Sequence, residues 1–432
     1  MSLREGVLYR PLVWSVSVFL LASGVLLAIQ MIAAVIGPFR LRDIGARDPR
    51  ARVALWLPEE GAVAAQVARW RHWLPGPAEL RAAPALAALD PGQAGAVLLA
   101  DPRGLDAAGV RALERYAAAG GGVVVTGAVG VRGASGEWLG WDSMRALLGG
   151  VEVTPVEAER TVALVAVRRG PLSAPLAPGR SLAIQPEAGM PGVATADAEL
   201  RWGQDAFGAP GPAATLRRSL GAGRIVWLAV GPERAAPGLA GELPLAGVLE
   251  AALAWAARRP VVEVLAWPGG APFAASLAPE PAGAARAEWR AALDSARASG
   301  GHAWLRIETG SDALPDALAE VARTGGWLAT RRELSAWVRR RSSLQATLQS
   351  VGPKRLLVAV SNRSPEPVRG AVVRVHMNQP TVRAEVATTA LLQRRPELRL
   401  RSGEERLDLR VPELGARRST AFTIDYEVAG SG

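Results

Sequence analysis

The side chains that carry most enzyme chemistry are scarce in this sequence. The chain has 432 residues, no cysteine and three histidines. Without cysteine there can be no disulfide, no thiolate metal site and no thiol nucleophile. A zinc site built from imidazoles would need His72, His302 and His376 to converge from three separate segments. We therefore predict no catalytic residue, no cofactor-binding residue, no metal ligand and no bound cofactor.

Each histidine has a structural interpretation that we prefer over a chemical one. His72 lies between two tryptophans near the end of a predicted helix, which indicates packing. His302 opens an apolar strand after two glycines. A capping or hydrogen-bonding histidine is the more common case there. His376 falls on the polar face of the strand VVRVHM, so we assign it no chemistry.

Arginine carries nearly all of the positive charge. The chain has 50 basic residues, of which Lys354 is the only lysine, and a formal net charge of +10. The arginines are scattered rather than clustered on one face, which disfavours a nucleic-acid partner. The run WVRRRSS (residues 337–343) is an exception. Arginines at the end of a helix complement its dipole, and contact with anionic glycan or lipid headgroups is the alternative.

The elements that must position these residues begin with a membrane segment. After an N-terminal tail (residues 1–10), residues 11–39 contain no charged side chain. This is long enough for a transmembrane helix in the lipid bilayer and longer than the apolar core of a cleaved signal peptide. Charge leaves the orientation open, because arginines lie on both sides and large domains cross membranes largely regardless of charge. These arginines are Arg4 and Arg10 before the segment and Arg40, Arg42, Arg47, Arg50 and Arg52 after it.

Residues 50–259 show a strand–helix alternation that predicts a parallel α/β sheet. RVALWL (residues 52–57), AGAVLLAD (residues 94–101) and GVVVTG (residues 122–127) have the apolar runs of buried strands. An amphipathic helix over residues 105–121 ends in glycines, as helix C-termini often do. Further on, residues 213–220 and 223–231 indicate a hairpin, followed by a helix over residues 243–258.

The stretch from Leu105 through AAAGGGVVVTGAVGVR to EWLGWDSMRALLGG resembles the glutamine-amidotransferase-like domain of some membrane-anchored bacterial proteins. The resemblance covers residues 50–259 and implies an amidotransferase-like fold. It also implies a cysteine nucleophile with a histidine base, and this chain has no cysteine. On this reading only the scaffold is kept.

Residues 260–342 resemble a shortened, degenerate polysaccharide deacetylase (NodB-like) domain. The matching pieces are WPGGA (residues 267–271), the late strand around His302 to Thr309, and the helix over residues 331–341. The resemblance offers an alternative reading of His302 as a relic of the family's late histidine. Active members of that family end their first strand in paired aspartates and use an HxxxH-type pair as metal ligands. This sequence instead has Ala278, Pro279, Glu280 and Pro281. We read Glu280 as a solvated loop carboxylate rather than as an acid or base.

From residue 344 to residue 432 the apolar pattern changes to period two. In STAFTIDYEV, Phe422, Ile424, Tyr426 and Val428 share one face. Strands separated by polar turns predict an all-β immunoglobulin-like sandwich. No tryptophan lies in this segment, which favours an interaction or spacer domain over a sugar-binding module.

Taken together, these features predict a non-catalytic membrane-anchored scaffold, a pseudoenzyme in a cell-envelope assembly with other membrane or envelope proteins as partners. The alternative is a glycan-binding or glycan-modifying envelope protein with an unrecognised carboxylate site, for which polysaccharide is the partner. A third possibility, a cytoplasmic-facing accessory of a transport or regulatory complex, rests on the arginines after residue 39. The family resemblance favours the bacterial inner membrane with the folded part on the extracytoplasmic side.

Overall fold

A computed structural model describes the chain from residue 49 onward, with short gaps. The described residues are 49–56, 63–74, 79–83, 85–157, 163–176, 181–185, 187, 189–203, 211–235, 239–280, 286–308, 312–352, 354–388, 397–400 and 405–429. They belong to one compact unit, residues 48–432, which is distinct from residues 1–47. The predicted tail (residues 1–10) and transmembrane helix (residues 11–39) lie outside the described residues. Among the described helices, none has the length and apolar character needed to cross a membrane.

Numbered in chain order, the helices and strands have the following bounds. The helices are α1 Val63–Trp73, α2 Ala107–Ala118, α3 Asp142–Leu148, α4 Leu239–Ala256, α5 Arg286–Ser299, α6 Ala313–Arg323 and α7 Arg331–Ser342. The first strands are β1 Arg52–Trp56, β2 Glu79–Ala82, β3 Ala96–Ala100, β4 Gly122–Thr126, β5 Val153–Val156, β6 Ala163–Ala166, β7 Ser181–Ala183, β8 Met190–Val193, β9 Leu200–Gly203, β10 Thr215–Leu220 and β11 Gly223–Leu228. The later strands are β12 Val261–Val264, β13 Ala274–Glu280, β14 His302–Glu308, β15 Trp327–Leu328, β16 Leu344–Gly352, β17 Arg355–Asn362, β18 Val372–His376, β19 Thr381–Thr388, β20 Glu397–Leu400, β21 Arg406–Arg410 and β22 Ser419–Val428.

A six-stranded sheet forms the first layer, in the order β10-β11-β4-β3-β1-β2. Its neighbouring strands run parallel, except that β10 is antiparallel to β11. Strands β3 and β4 are apolar throughout their centres and buried except for the partly buried Ala100 at the end of β3, as expected for parallel strands covered on both faces. Helix α2 packs one apolar face onto the sheet, and its N-cap residue Asp106 accepts a hydrogen bond of 2.7 Å from the Gly109 amide.

Two small antiparallel sheets lie between β4 and β10 in sequence. One pairs β5 with β8, and the other has the order β7-β6-β9. Their strands are three or four residues long. Such short segments contain too few residues to show a clear period, which is why the sequence patterns did not reveal them.

A three-stranded parallel sheet follows, in the order β14-β13-β15. One face of this sheet packs against α5 and α6 around a separate apolar cluster that includes Phe273, Trp289 and Leu305. The other face meets the C-terminal β structure, where Ala274 joins the core that contains Trp337. The three-stranded sheet therefore lies between α5 and α6 on one face and the C-terminal β structure on the other.

The C-terminal part consists of two four-stranded sheets that share one core. Their orders are β16-β17-β22-β19 and β12-β18-β21-β20. Phe422, Ile424 and Tyr426 of β22 are buried on one face, as their alternation predicts. Strand β12 is antiparallel to β18, so residues from before the three-stranded sheet complete this β structure.

The fold class predicted from the sequence is therefore corrected: the described unit is a single mixed α/β fold. Its large sheet has an antiparallel edge strand and carries an antiparallel insertion that was not predicted. Its C-terminal sheets recruit β12 from far upstream. The reason is physical: a local period predicts a strand, but it does not specify which strand will pair with it.

Candidate functional site

The carboxyl ends of β3, β4 and β11 meet at one edge of the large sheet. In open α/β sheets ligands commonly bind outside this edge. Asp101 directly follows β3 and has a φ of 43°. A positive φ is uncommon outside glycine, although aspartate tolerates it better than most residues. Residues held in this conformation are enriched at functional sites, which directs attention to this edge.

Asp101 is held in place by its neighbours. Its Oδ1 accepts a hydrogen bond of 3.0 Å from the Ala128 amide, and its Oδ2 accepts one of 2.8 Å from Arg103 Nε. A Cβ atom on Gly127 would lie 2.4 Å from Asp101 Oδ1, and Gly127 also has a φ of 69°. Glycine is therefore required here, because the carboxylate lies directly against the end of β4.

Glu233 is the second carboxylate at this edge. It lies in the short turn Pro232–Arg234 that follows β11. Burial raises the pKa of Glu233, backbone amide hydrogen bonds lower it, and the nearby charge of Asp101 raises it further, so the net shift is upward. Within the described part of the chain its Oε2 is buried without a hydrogen-bond partner. Such a group keeps its proton at a higher pH than an ordinary glutamate.

A third carboxylate connects the two sides of the edge. Glu187 Oε1 lies 3.2 Å from Arg103 Nη2, and its Oε2 lies 2.7 Å from Arg234 Nη2. Arg103 also binds Asp101, while Arg234 is next to Glu233 in the chain. Ionic contacts therefore link the two segments that carry Asp101 and Glu233. We call Asp101, Arg103, Glu187, Glu233 and Arg234 the edge site.

An exposed aromatic side chain lies on the loop beside the edge site. The Arg132 amide donates a hydrogen bond of 2.8 Å to the Arg103 carbonyl, which ties this loop to the Asp101 turn. Trp138 is 53% exposed, and its ring packs edge-on against Trp141 with 5.0 Å between centroids. Exposing an indole has an energetic cost, and flat aromatic surfaces of this kind are common at binding sites.

The three histidines do not converge. His302 Nε2 lies 3.0 Å from Ser276 Oγ, and burial lowers the pKa of His302, so it is a hydrogen-bonding histidine. His72 has an exposed side chain, so the prediction that it packs between tryptophans is wrong. His376 is buried, with Nε2 2.9 Å from Glu263 Oε1, so its assignment to a polar surface is also wrong. Among the described residues no group of three potential ligands could hold a metal ion.

Glu280 and the arginines of residues 337–343 are the remaining candidates from the sequence. Glu280 is the last residue of β13 and is in register with Glu308 of β14, so its backbone belongs to a strand rather than to a loop. Within the run of arginines at the end of α7, Arg341 Nη2 donates to the Val264 carbonyl at 2.8 Å. Arg340 Nε pairs with Glu366 Oε2 at 3.0 Å. Both arginines therefore contact protein groups.

Sequence reasoning missed the edge site entirely. The sequence pattern makes Asp101 the last residue of a predicted strand, and it does not distinguish Glu233 from other acidic residues. The available signal was an acidic residue at the end of one predicted strand (residues 94–101) and another two residues beyond the end of a second (residues 223–231). In a parallel sheet such residues emerge at the same edge. The signal is weak, because acidic residues are also common in turns.

Known proteins give few comparisons. No protein-family model matches the sequence, and no curated protein is similar enough to match it. A solved β-galactosidase from Bacillus circulans sp. alkalophilus is 11% identical at a TM-score of 0.33, with 87% of this chain and 41% of that chain covered. An α-L-fucosidase from Paenibacillus thiaminolyticus is 12% identical at 0.32, with coverages of 87% and 48%. An exo-β-1,4-mannosidase from Opitutaceae bacterium strain TAV5 is 14% identical at 0.29, with coverages of 47% and 35%.

These comparisons correct two predictions. The matching solved structures named here are glycosidases, and neither an amidotransferase nor a deacetylase is among them. The predicted fusion of an amidotransferase-like domain to a deacetylase-like segment is therefore wrong, as is the pseudoenzyme interpretation built on it. A strand–helix–strand alternation is shared by many α/β proteins, so it does not identify one family. The chain spans less than half the length of these structures, and the likeness is too distant to transfer residue roles.

Proposed function

We propose that this chain is a glycan-processing protein and that the edge site performs acid–base chemistry on a glycosidic bond. The observation that carries the proposal is the pair of carboxylates at one sheet edge, of which Glu233 has a raised pKa through burial and the charge of Asp101. Glycosidases use two carboxyl groups in this way, with a protonated acid and a partner carboxylate.

The roles follow from the surroundings of each carboxyl group. Glu233 donates its proton to the glycosidic oxygen as the bond from that oxygen to the anomeric carbon breaks, which releases the leaving group as an alcohol. A water molecule then adds through its oxygen to the anomeric carbon and gives its proton to the Glu233 carboxylate, which restores the acid. Asp101 places its carboxylate near the positive charge that develops on the sugar ring. Its hydrogen bonds to Arg103 and to the Ala128 amide hold that carboxylate in a fixed orientation. Trp138 provides a surface on which a sugar ring can stack.

Hydrolysis of glycosides by the purified chain tests the proposal. The substrates are aryl β-galactosides, α-L-fucosides and β-mannosides, together with neutral and acidic polysaccharides. We expect Glu233→Gln to lower kcat by about 100-fold or more, the usual contribution of a general acid. Glu250→Gln is the matched control, because burial also raises the pKa of this glutamate while it lies on α4 outside the edge site. Equal activity of Glu233→Gln and the native chain, or no hydrolysis of any substrate, would contradict the proposal.

Glycan recognition without hydrolysis is a second candidate function. It is favoured by exposed tryptophans, since Trp304 on β14 is 44% exposed in addition to Trp138. On this reading Trp138→Ala weakens retention on immobilised polysaccharide, while Glu233→Gln leaves retention unchanged. The predicted protein partners and the predicted envelope location stay predictions.

A further inference from the structure

A cleft lies away from the edge site. It has a volume of about 570 Å³, within the range typical of ligand sites. Its walls come from three parts of the fold, represented by Arg169 in the loop after β6, Arg297 on α5 and Arg374 on β18. Arg224, which pairs with the lining residue Glu405, is near the start of β11, whereas Glu233 follows the end of that strand. The two sites are therefore at opposite ends of β11.

The lining of this cleft is strongly basic. Among the residues that the structure describes, five arginines line it, namely Arg169, Arg217, Arg297, Arg374 and Arg406, against Glu405 as the one acidic lining residue. Glu405 is itself engaged, because its Oε1 lies 3.0 Å from Arg224 Nη2. The remaining lining is largely small or apolar, such as Ala271 and Pro272. A ligand in this cleft meets mainly guanidinium groups.

Several of these guanidinium groups are held in place by carboxylates behind them. Arg374 makes two hydrogen bonds of 2.7 Å to Asp408, and Arg217 Nε lies 2.9 Å from Glu199 Oε1. Arg169 pairs with the buried Glu263. A guanidinium has five donors, so one that is fixed by a carboxylate still has N–H groups for a ligand. Fixed arginines lose less conformational entropy when they bind an oxyanion.

The positive charge around the cleft is not fully compensated. Arg297 is exposed, and within the described part of the chain its guanidinium forms no ion pair. Burial lowers the pKa of Arg224, the charge of Glu405 raises it, and the charges of Arg258 and Arg217 lower it, with a net downward shift. Burial and the charge of Arg169 likewise lower the pKa of Arg341. These arginines repel one another, and a bound anion would relieve that repulsion.

We propose that this cleft binds the oxyanion groups of an acidic saccharide, a class of ligand whose saccharide part rests on the proposed glycan function. Arginine forks match the geometry of carboxylate, sulfate and phosphate oxygens. The cleft accommodates more than a single small ion, since its volume of about 570 Å³ is that of a site for a ligand of several rings. We call this site, lined by Arg169, Arg217, Arg297, Arg374 and Arg406, the arginine cleft. The arginine cleft then selects acidic glycan chains, and the edge site acts on glycosidic bonds.

Calorimetry with three probes tests this inference. The probes are a trigalacturonate, a neutral galactotriose and inorganic phosphate, each titrated into the full chain. We expect the trigalacturonate to bind at least tenfold more tightly than the other two, with an affinity that falls as salt is added. Arg297→Gln should weaken its binding about tenfold, while Arg290→Gln, on the same helix but outside this cleft, should change it less than twofold.

The titrations can contradict the proposal of an acidic-saccharide site in two ways. Equal binding of trigalacturonate and phosphate would leave a site for a small anion only and overturn the saccharide proposal. Equal binding of the acidic and neutral trisaccharides, or no effect of Arg297→Gln, would overturn a role for the arginines. If Arg297→Gln unfolds at the same temperature as the native chain, a folding defect is excluded as the cause of lost binding. These titrations measure no hydrolysis, so an inactive edge site would refute the proposed function and leave this inference standing.

Discussion

Glu263 is a carboxylate whose charge depends on its partners. Its side chain is 4% exposed, and burial alone would raise its pKa. The hydrogen bond from His376 and the charge of Arg169 oppose burial, and the net result is a lowered pKa. Glu263 therefore stays ionised inside the fold, where it projects from β12 and pairs with Arg169.

Replacing this carboxylate tests its contribution to stability. We expect Glu263→Gln to lower the free energy of unfolding by about 3–5 kcal/mol, since it removes one partner of a largely buried pair and leaves the partly buried Arg169 without its counter-charge. Urea unfolding followed by tryptophan fluorescence measures the change. The control is Glu385→Gln, which breaks an exposed pair with Arg383 and should lower the stability far less. Similar losses for the two variants would contradict this account.

The same carboxylate gives the stability a defined pH dependence. A lowered folded pKa means that the folded state binds the proton less tightly than the unfolded state, whose glutamate pKa is about 4.3. Its stabilising contribution is present above that value and is lost as the pH falls through the lower folded pKa. Unfolding titrations below about pH 5 should show a shallower pH dependence for Glu263→Gln than for the native chain. Identical slopes would exclude this carboxylate as a source of acid sensitivity.

The raised pKa of Glu233 predicts the pH dependence of activity. A general acid works only while it is protonated, so the rate should fall as the pH rises through the pKa of Glu233. Burial and the charge of Asp101 raise that pKa, and the alkaline limb should therefore lie above the value of about 4.3 for an exposed glutamate. Asp101→Asn removes the neighbouring negative charge and should move the limb to lower pH in any residual activity. A limb that does not move would show that Glu233 does not set it.

At the scale of elements, α7 begins with a complete capping box. Thr330 Oγ1 accepts a hydrogen bond of 3.2 Å from the Glu333 amide, and Glu333 Oε2 accepts one of 2.8 Å from the Thr330 amide. These two bonds satisfy amides that the first helical turn would leave without partners. The cap also fixes where α7 starts, and this helix carries Trp337 into the C-terminal core.

Removing the cap should have a moderate cost. We expect Thr330→Ala to lower the free energy of unfolding by about 1 kcal/mol, within a usual range of about 0.5–2 kcal/mol. Thr330→Ser keeps a hydroxyl at the same position and should stay within about 0.5 kcal/mol of the native chain. Circular dichroism melts of the two variants provide the comparison. Equal stability of the alanine and serine variants would mean that this cap contributes nothing.

At the scale of the whole molecule, the C-terminal β structure is not independent of what precedes it. Strand β12 pairs with β18, with Val264 in register with Val373 and Val261 with His376. Val264 and Trp337 both belong to the core that the two C-terminal sheets share. The sequence pattern placed the start of this domain at residue 344, and that boundary separates the sheets from two contributors to their core.

Fragments of the chain make this dependence measurable. We expect a fragment of residues 344–432 to unfold at a lower urea concentration than one of residues 260–432. The shorter piece exposes the edge of β18 and leaves the site of Trp337 unfilled. Loss of a buried tryptophan alone costs about 3–5 kcal/mol in other proteins. Equal midpoints for the two fragments would show that β12 and α7 are dispensable for these sheets.

The sequence by itself determined the local elements. The apolar runs at residues 52–57 and 122–127 are observed as β1 and β4, and the alternation at Phe422, Ile424 and Tyr426 is observed as a buried face of β22. These predictions succeed because side-chain periods of two and of 3.6 residues are local properties of a strand and a helix. The absence of cysteine is equally a property of the sequence, and it excludes thiol chemistry whatever the fold.

Only the tertiary structure decided which side chains meet. Asp101 and Glu233 come together because β3 and β11 lie on either side of β4, an order that no local pattern encodes. The arginine cleft likewise combines Arg169, Arg297 and Arg374 from three parts of the fold, although the sequence shows them as scattered charges. Strand pairing and domain packing depend on the free energy of the whole fold, to which distant segments contribute. For this reason both sites were absent from the sequence prediction.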